Sequence, residues 1–165
     1  MLTRYEPVTE DVYTVLKNVR EDIFPELQGA EILCVFDTKK KVTKGKLELA
    51  SISTTNDILR FLTLDDTGNE EGYDYIIRID KVAWRLATEQ NKIRLLRHEL
   101  KHTRVEAENA KPWKLRGHTI EDFHSEIILN QDNPRWADEL AFITLAAHEQ
   151  NEEGLQTEQT QQTGE

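Results

Sequence analysis

Apolar side chains near the start of the chain recur at intervals of three and four residues, the spacing of one face of a helix. The pattern begins after Pro7 and stops at Phe24, directly before Pro25, which cannot continue a helix. We therefore predict a first amphipathic helix over residues 7–24. Its core-facing positions are Val12, Val15, Leu16, Val19 and Ile23.

The next apolar runs are short and rich in β-branched and aromatic residues, as in strands. Residues 31–37 and 46–53 predict the two strands of a hairpin, with a cluster of lysines at its solvated tip. Residues 57–64 fit a strand or a short helix equally well. After a polar loop over residues 67–72, the run that begins at Tyr73 and ends at Asp80 predicts another strand.

Another helix is predicted over residues 88–105, which lack glycine and proline and are rich in strong helix formers. Thr88 is a candidate N-cap, and Glu89 places a carboxylate in the first turn. Ile93, Leu96 and Leu100 recur at helical spacing, so this side of the helix is predicted to face the core.

Two further helices are predicted in the last third of the chain. One follows Gly117 and includes the apolar residues 127–129. The other begins at Asn133 and Pro134, where proline suits the first turn. Its predicted inward-facing residues are Trp136, Leu140 and Ile143.

The helix over residues 88–105 contains His98-Glu99-Leu100-Lys101-His102, the H-E-x-x-H signature of zinc-dependent hydrolases. At helical spacing His98 and His102 fall on the side away from the apolar stripe. On a helix, positions i and i+4 lie about 5–6 Å apart, so two imidazoles can bind one metal ion. Glu99 adjoins the first histidine and can accept a proton from water activated by the metal. The simpler alternative is a solvated helix face on which these residues occur by chance.

A catalytic zinc usually takes three protein ligands and keeps one coordination position open. The continuations typical of metzincins and of thermolysin are both absent after His102. The candidate third ligands are His118, His124, Glu121 and Glu126. Asp122 or Glu106 could accept a hydrogen bond from the outer nitrogen of a metal-binding histidine.

Four blocks of sequence carry a resemblance to a known family. They are Thr88-Glu89-Gln90, His98-Glu99-Leu100-Lys101-His102, Gly117-His118-Thr119-Ile120-Glu121-Asp122-Phe123 and Pro134-Arg135-Trp136. Over about residues 73–142 the chain resembles the phage metallopeptidase family, which is similar in outline to SprT-type zincins. In both groups a histidine of the segment after the active-site helix is taken as the third ligand. The resemblance thus implies His118 as that ligand and zinc as the cofactor.

The resemblance also implies a zincin-like α+β fold. It would have a small mixed or antiparallel sheet, an N-terminal helix, an active-site helix and a following helix that bears a ligand. In the proteins that this chain resembles, the strand before the active-site helix is an edge strand above the metal. A protein or peptide substrate would then add to the strand over residues 73–80, from Tyr73 to Asp80, through main-chain hydrogen bonds. No Cys-x-x-Cys pairs follow, so the zinc ribbon of many SprT-type proteins is absent.

The composition fits one small domain. The 165 residues are 38% apolar, which suffices for a single core. The one cysteine, Cys34, permits no internal disulfide and predicts a buried thiol in a reducing cytoplasm, that of the host cell if a phage encodes the chain. No stretch has the length of a membrane span, and the first residues lack the features of a signal peptide.

The formal net charge of −10 is shared unequally along the chain. Residues 149–165 contain five glutamates and no lysine or arginine, which leaves −5 for residues 1–148. The Gln/Thr/Glu composition of the last residues predicts a disordered tail. We therefore predict one metallopeptidase domain over residues 1–148 and a tail over residues 149–165. The acidic balance disfavours nucleic acid as a partner.

Together these observations predict zinc-dependent hydrolysis of peptide bonds, with His98, His102 and His118 as ligands and Glu99 as general base. Two alternatives remain open. One is a non-catalytic interaction protein that binds a host or viral partner. The other is a metal-dependent hydrolase of an amide that is not a protein, because the motif specifies the activation of water rather than the substrate.

Overall fold

The computed structural model describes residues 3–118, 123–135, 139–140, 142–144 and 146–147. By their contacts the residues form two compact units, 1–117 and 118–165, and each is described by itself. The predicted tail, residues 149–165, lies outside the described residues. None of the helices described is both long and apolar enough to cross a membrane.

The first unit contains both helices and short strands. In chain order its elements are β1 (Tyr5–Pro7), α1 (Glu10–Ile23), β2 (Ile32–Asp37), β3 (Val42–Thr43), β4 (Lys46–Leu47), β5 (Ala50–Thr54), α2 (Asp57–Leu62), β6 (Tyr75–Asp80), α3 (Lys81–Leu86), α4 (Glu89–Lys101), β7 (Thr103–Val105) and β8 (Trp113–Leu115). The predicted α+β class is confirmed, and the ambiguous segment over residues 57–64 is a helix over most of its length.

The first predicted helix is confirmed as α1, which begins three residues later than predicted. Residues 5–7 instead form β1, a strand too short for its alternation to be recognised in the sequence. The first turn of α1 carries Glu10 and Asp11, whose negative charges interact favourably with the positive end of the helix dipole. The helix ends at Ile23, two residues before Pro25, and buries Val12, Val15, Leu16 and Val19.

Four strands form a mixed sheet in the order β1-β2-β6-β5. β2 and β6 are parallel, and β1 and β5 pair antiparallel to them at the two edges. The predicted hairpin is therefore wrong, because β6 lies between the two strands assigned to it. The intervening lysine-rich segment forms the small β3–β4 hairpin, with Lys44 and Gly45 in the left-handed region at its tip.

The position of β6 also corrects the predicted substrate edge at residues 73–80. β6 pairs along its whole length with β2, and on its other side with β5; Ile77, for example, lies opposite both Cys34 and Ile52. Its backbone groups are thus used by the sheet on both sides, and no peptide can add to this strand. The neighbouring edge strand is β5.

One face of the sheet packs against α1 and α4 to form the core. Side chains of β2 and β6 alternate, and those that face the helices are buried. These residues are Ile32, Cys34, Phe36, Tyr75, Ile77 and Ile79. The predicted burial of Cys34 is confirmed, and burial raises the pKa of its thiol to about 12. This thiol is therefore inert at neutral pH.

The second unit is described only in part. Its helix α5 (His124–Leu129) lies in the segment where a helix was predicted after Gly117, and helical residues at 139–140, 142–144 and 146–147 lie in the predicted last helix. Leu140 and Ile143, predicted to face inward, are exposed instead. Trp136 lies outside the described residues.

Candidate metal centre

Helix α4 presents the two histidines of the motif at its C-terminal end. Thr88 caps the other end, since its hydroxyl accepts a hydrogen bond from the backbone N–H of Asn91. Leu96 and Leu100 are fully buried and fix which side of α4 faces the core. The imidazoles of His98 and His102, one turn apart, have ring centroids 5.2 Å apart. The predicted cap and core-facing side are thus confirmed.

The helix ends earlier than predicted, and this determines the setting of His102. Lys101 is the last helical residue, His102 is the C-cap, and residues 103–105 form β7. β7 pairs antiparallel with β8, with Thr103 opposite Leu115. The chain therefore returns to the end of α4, where the backbone N–H of Arg116 donates to the carbonyl of His102 at 2.7 Å.

This return also orients the His102 ring. Nδ1 of His102 lies 2.9 Å from the carbonyl oxygen of Arg116. A carbonyl oxygen can only accept a hydrogen bond, so Nδ1 is the donor in this contact and Nε2 is the nitrogen that a metal ion would bind. A backbone carbonyl is a common outer partner of metal-binding histidines. Of the predicted outer partners, Glu106 instead contacts Arg104 and Asn109, and Asp122 lies outside the described residues.

Tyr75 supports the hairpin that makes this return. Its side chain is fully buried, and its hydroxyl donates to the carbonyl oxygen of Lys114 at 2.9 Å. Its ring also contacts Trp113 edge to face, with centroids 6.5 Å apart. Burial raises the pKa of Tyr75 to about 12, so the phenol stays protonated and remains a donor across the neutral range.

Three histidines are brought together. His98, His102 and His118 each offer a ring nitrogen, and these nitrogens all lie within 4.8 Å of one another. In a tetrahedral zinc site with Zn–N bonds of about 2.1 Å, the nitrogens lie roughly 3.4 Å apart. The 4.8 Å is an upper bound on the separations of the three nitrogens, and it lies close to the spacing that one shared ion requires. The three residues present thus fit a metal ion.

Glu99 differs from an ordinary solvated carboxylate of a surface helix. Of the two acidic residues in α4, Glu89 is exposed, whereas Glu99 is only 5% exposed. Burial of a carboxylate is costly and is rare without a specific role or partner. The arrangement therefore differs from the alternative of a solvated face.

Of the remaining predicted candidates, the two that the structure describes, His124 and Glu126, do not belong to the histidine group. His124 and Glu126 lie in the first turn of α5 and are exposed, and Glu121 lies outside the described residues. His118 itself is in no helix or strand, and residues 119–122, directly after it, are not among those described, so its predicted place at the entrance of a helix stays a prediction.

No sequence pattern indicates the role of the Arg116 carbonyl, because any residue type can supply a backbone acceptor. A signal for the hairpin was present in Thr103 and Val105, whose β-branched side chains favour strands over helices.

Comparison with known proteins gives one family. Residues 3–144 match the family described as "Putative phage metallopeptidase". Neither the curated proteins nor the solved structures contain a match. The matched segment covers nearly the whole chain and includes all three clustered histidines. It extends well beyond residues 73–142, on which the resemblance rested. The chain therefore belongs to the "Putative phage metallopeptidase" family.

Proposed function

We propose that the protein is a zinc-dependent peptidase of the H-E-x-x-H type with a zincin-like fold. The observation that carries the proposal is the convergence of His98, His102 and His118 beside the buried Glu99. Three protein donors with one open position are typical of catalytic zinc, whereas structural zinc sites usually take four protein ligands. Within the described part of the chain the group has three members.

Each residue of the site has a defined task in this proposal. Zinc held by the three imidazoles would supply Lewis acidity, which lowers the pKa of water and polarises a peptide carbonyl. Glu99 would accept a proton from the attacking water and deliver it to the leaving amine. The Arg116 carbonyl would keep the His102 proton on Nδ1, so that the unprotonated Nε2 binds the zinc.

The edge strand β5 is the place that we propose for the substrate. The Thr55 N–H donates to the Asp74 carbonyl and the Asp80 N–H donates to the Leu49 carbonyl, so Thr55 and Leu49 each direct a backbone group toward β6 and the residues between them alternate. Ser51 and Ser53 thus point their N–H and C=O groups toward β6. Those of Ala50, Ile52 and Thr54 point away from the sheet, where the described residues contain no pairing strand. An extended peptide could pair with these groups.

A proline at Thr54 tests this use of β5. Thr54→Pro removes one outward N–H but none of the hydrogen bonds to β6, because the Thr54 N–H does not face that strand. We expect kcat/KM for an unstructured polypeptide to fall by about five- to tenfold, the value of roughly one hydrogen bond. Thr54→Val keeps the N–H and should behave as wild type. Equal kcat/KM for the two variants would contradict substrate pairing with β5.

The proposed function is tested with a zinc-loaded preparation and a reduced, alkylated protein as an unstructured substrate. We expect cleavage of peptide bonds that stops after treatment with a chelator and returns when zinc is added. A parallel panel of small amides separates a peptidase from other amide hydrolases. Hydrolysis of small amides alone, or cleavage that persists in the chelated protein, would contradict the proposal.

A further inference from the structure

The β3–β4 hairpin has one polar face and one apolar face. Val42 pairs with Leu47 across the hairpin, and the backbone N–H of Glu48 donates to the carbonyl of Lys41 at 2.8 Å, so the pairing continues one residue beyond each strand. Side chains alternate between the two faces of paired strands. On one face the Glu48 carboxylate accepts hydrogen bonds from Lys41 at 2.8 Å and from Thr43 at 3.2 Å. This face is therefore polar and internally paired.

The other face exposes aliphatic side chains. Val42 and Leu47 are 57% and 49% exposed, and Leu49, which the alternation places on the same side as Leu47, is 45% exposed. We call Val42, Leu47 and Leu49 the hairpin face. Lys44 and Gly45 form a two-residue turn in the left-handed region, which suits the twist of the paired strands. The hairpin face is thus exposed by the pairing itself, and an exposed apolar cluster with a polar rim marks an interaction surface.

Lysines surround the hairpin face. Residues 39–49 contain five lysines and one glutamate, a net charge of +4 in a chain of −10, so the other residues carry −14. Lys41 is already paired with Glu48. The four other lysines are exposed and have no ion pair with any residue that the structure describes; they are Lys39, Lys40, Lys44 and Lys46. A strongly basic segment of an acidic chain therefore coincides with an exposed apolar face.

An anionic lipid bilayer is complementary to both features. Its charged headgroups attract lysine, and the hydrocarbon beneath them accepts aliphatic side chains. Nucleic acid offers phosphates but no aliphatic layer, and its partners read bases with arginine or stack them on aromatic rings. Residues 39–49 contain no arginine and no aromatic residue. The negative charge of the other residues repels an anionic bilayer, so the approach through this hairpin is favoured.

The hairpin lies away from the elements that support the metal centre. It joins the sheet at Asp37 of β2 and Ala50 of β5, both beside the C-terminal end of β6. The β7–β8 hairpin contacts the start of β6, where the Tyr75 hydroxyl donates to the Lys114 carbonyl. The two hairpins are thus attached at opposite ends of β6, and docking through β3–β4 does not involve β7–β8.

We infer that the β3–β4 hairpin is a docking site for an anionic membrane surface. The hairpin face enters the boundary between headgroups and hydrocarbon, and the four unpaired lysines bind the headgroups. Binding is peripheral and reversible, because three aliphatic side chains bury too little area for permanent insertion. It requires neither zinc nor peptidase activity, so it stands independently of the proposed function.

The first experiment measures co-sedimentation of the full chain with vesicles of phosphatidylcholine, alone or with phosphatidylserine as about a third of the lipid. We expect binding to the anionic vesicles, which weakens as salt is added, and none to the neutral ones. Each lysine at an anionic surface contributes roughly fivefold in affinity, so Lys44→Gln/Lys46→Gln should weaken binding by about tenfold or more. Lys17→Gln/Lys111→Gln is the matched control, since these exposed lysines are already in ion pairs, and it should change binding by less than about threefold.

The second experiment detects entry of the hairpin face into the bilayer. Cys34 is buried, so a cysteine introduced at the surface is labelled selectively with a polarity-sensitive dye. A dye at Leu47→Cys should show stronger, blue-shifted emission with the anionic vesicles. A dye at Thr43→Cys, on the polar face, is the matched control and should change little.

Several results would overturn the inference. Wild-type protein that binds neutral and anionic vesicles equally, or binding that persists in Lys44→Gln/Lys46→Gln, would exclude recognition of anionic headgroups by the hairpin. Equal emission changes at Leu47→Cys and Thr43→Cys would mean adsorption by charge alone. Retention by polyglutamate or by double-stranded DNA, without binding to vesicles, would identify an acidic polypeptide or a nucleic acid as the partner instead. Circular dichroism verifies that each variant is folded.

Discussion

Glu99→Gln should abolish turnover while the protein keeps its zinc. Glutamine has nearly the shape of glutamate but cannot accept a proton from water, so the variant loses the general base and little else. General acid–base groups typically contribute about 10² to 10⁴ in rate, and kcat should fall by a factor in this range. Zinc content should be unchanged, because Glu99 is not one of the three clustered side chains. Steady-state cleavage and elemental analysis of the same preparation measure both quantities.

The matched control for this experiment is Glu89→Gln. Glu89 is in the same helix but is exposed, and its carboxylate pairs with Lys92 far along the helix from the histidines. We expect turnover within about twofold of wild type, since an exposed ion pair contributes little. A Glu99→Gln protein that retains zinc and full activity would show that water is activated by some other group.

Replacement of either motif histidine should remove the metal as well as the activity. The binding free energy of zinc in zinc-finger peptides, which supply about four ligands, is about 10–16 kcal/mol. Each ligand thus contributes roughly 2.5–4 kcal/mol, and the loss of one should weaken zinc binding by roughly 10² to 10³-fold. We expect losses of this size for His98→Ala and His102→Ala in competition with a zinc-binding dye. Activity at limiting zinc should fall in parallel.

Arg97→Ala is the control for these two variants. Arg97 is exposed on α4 next to His98 and is not in the histidine group, so its removal tests for a general loss of helix stability. Its zinc affinity should equal that of the wild type. Wild-type zinc affinity in both histidine variants would mean that any bound zinc lies elsewhere.

The sequence predicted the two long helices well because their signals are local. The cap at Thr88, the proline after Phe24 and the spacing of apolar residues all act within a few residues of each helix. The predicted end of α4 was too late, because residues 103–105 follow good helix formers without a glycine or proline. The pairing of Thr103 with Leu115 overrides this local continuity and ends the helix at Lys101.

Strand pairing was predicted less well because it joins distant parts of the chain. β2 and β6 are about 40 residues apart in sequence, and the run from Ile32 to Asp37 does not by itself indicate whether its neighbour is β5 or β6. The central position of β6 was not predicted for the same reason: a central strand and an edge strand of a small sheet have similar sequence patterns. Only the register reveals that Ala50, Ile52 and Thr54 carry the outward backbone groups.

The part of the candidate site that was predicted from the sequence consists of side chains at fixed spacing along one helix. His98 and His102 are one turn apart in any α-helix. The burial of Glu99 and the hydrogen bond from His102 to the Arg116 carbonyl depend on the packing of α4 and on the β7–β8 hairpin. Neither could be derived from residue types alone.

The most direct test of the account is the zinc content of the wild type, His118→Ala and His124→Ala, each purified with zinc and then dialysed. Both substitutions remove one exposed imidazole, so they are matched in chemistry and differ only in membership of the histidine group. We expect a single zinc ion per chain in the wild type and in His124→Ala, and its loss in His118→Ala. Zinc retained by His118→Ala at wild-type affinity, or no zinc in the wild type, would contradict it.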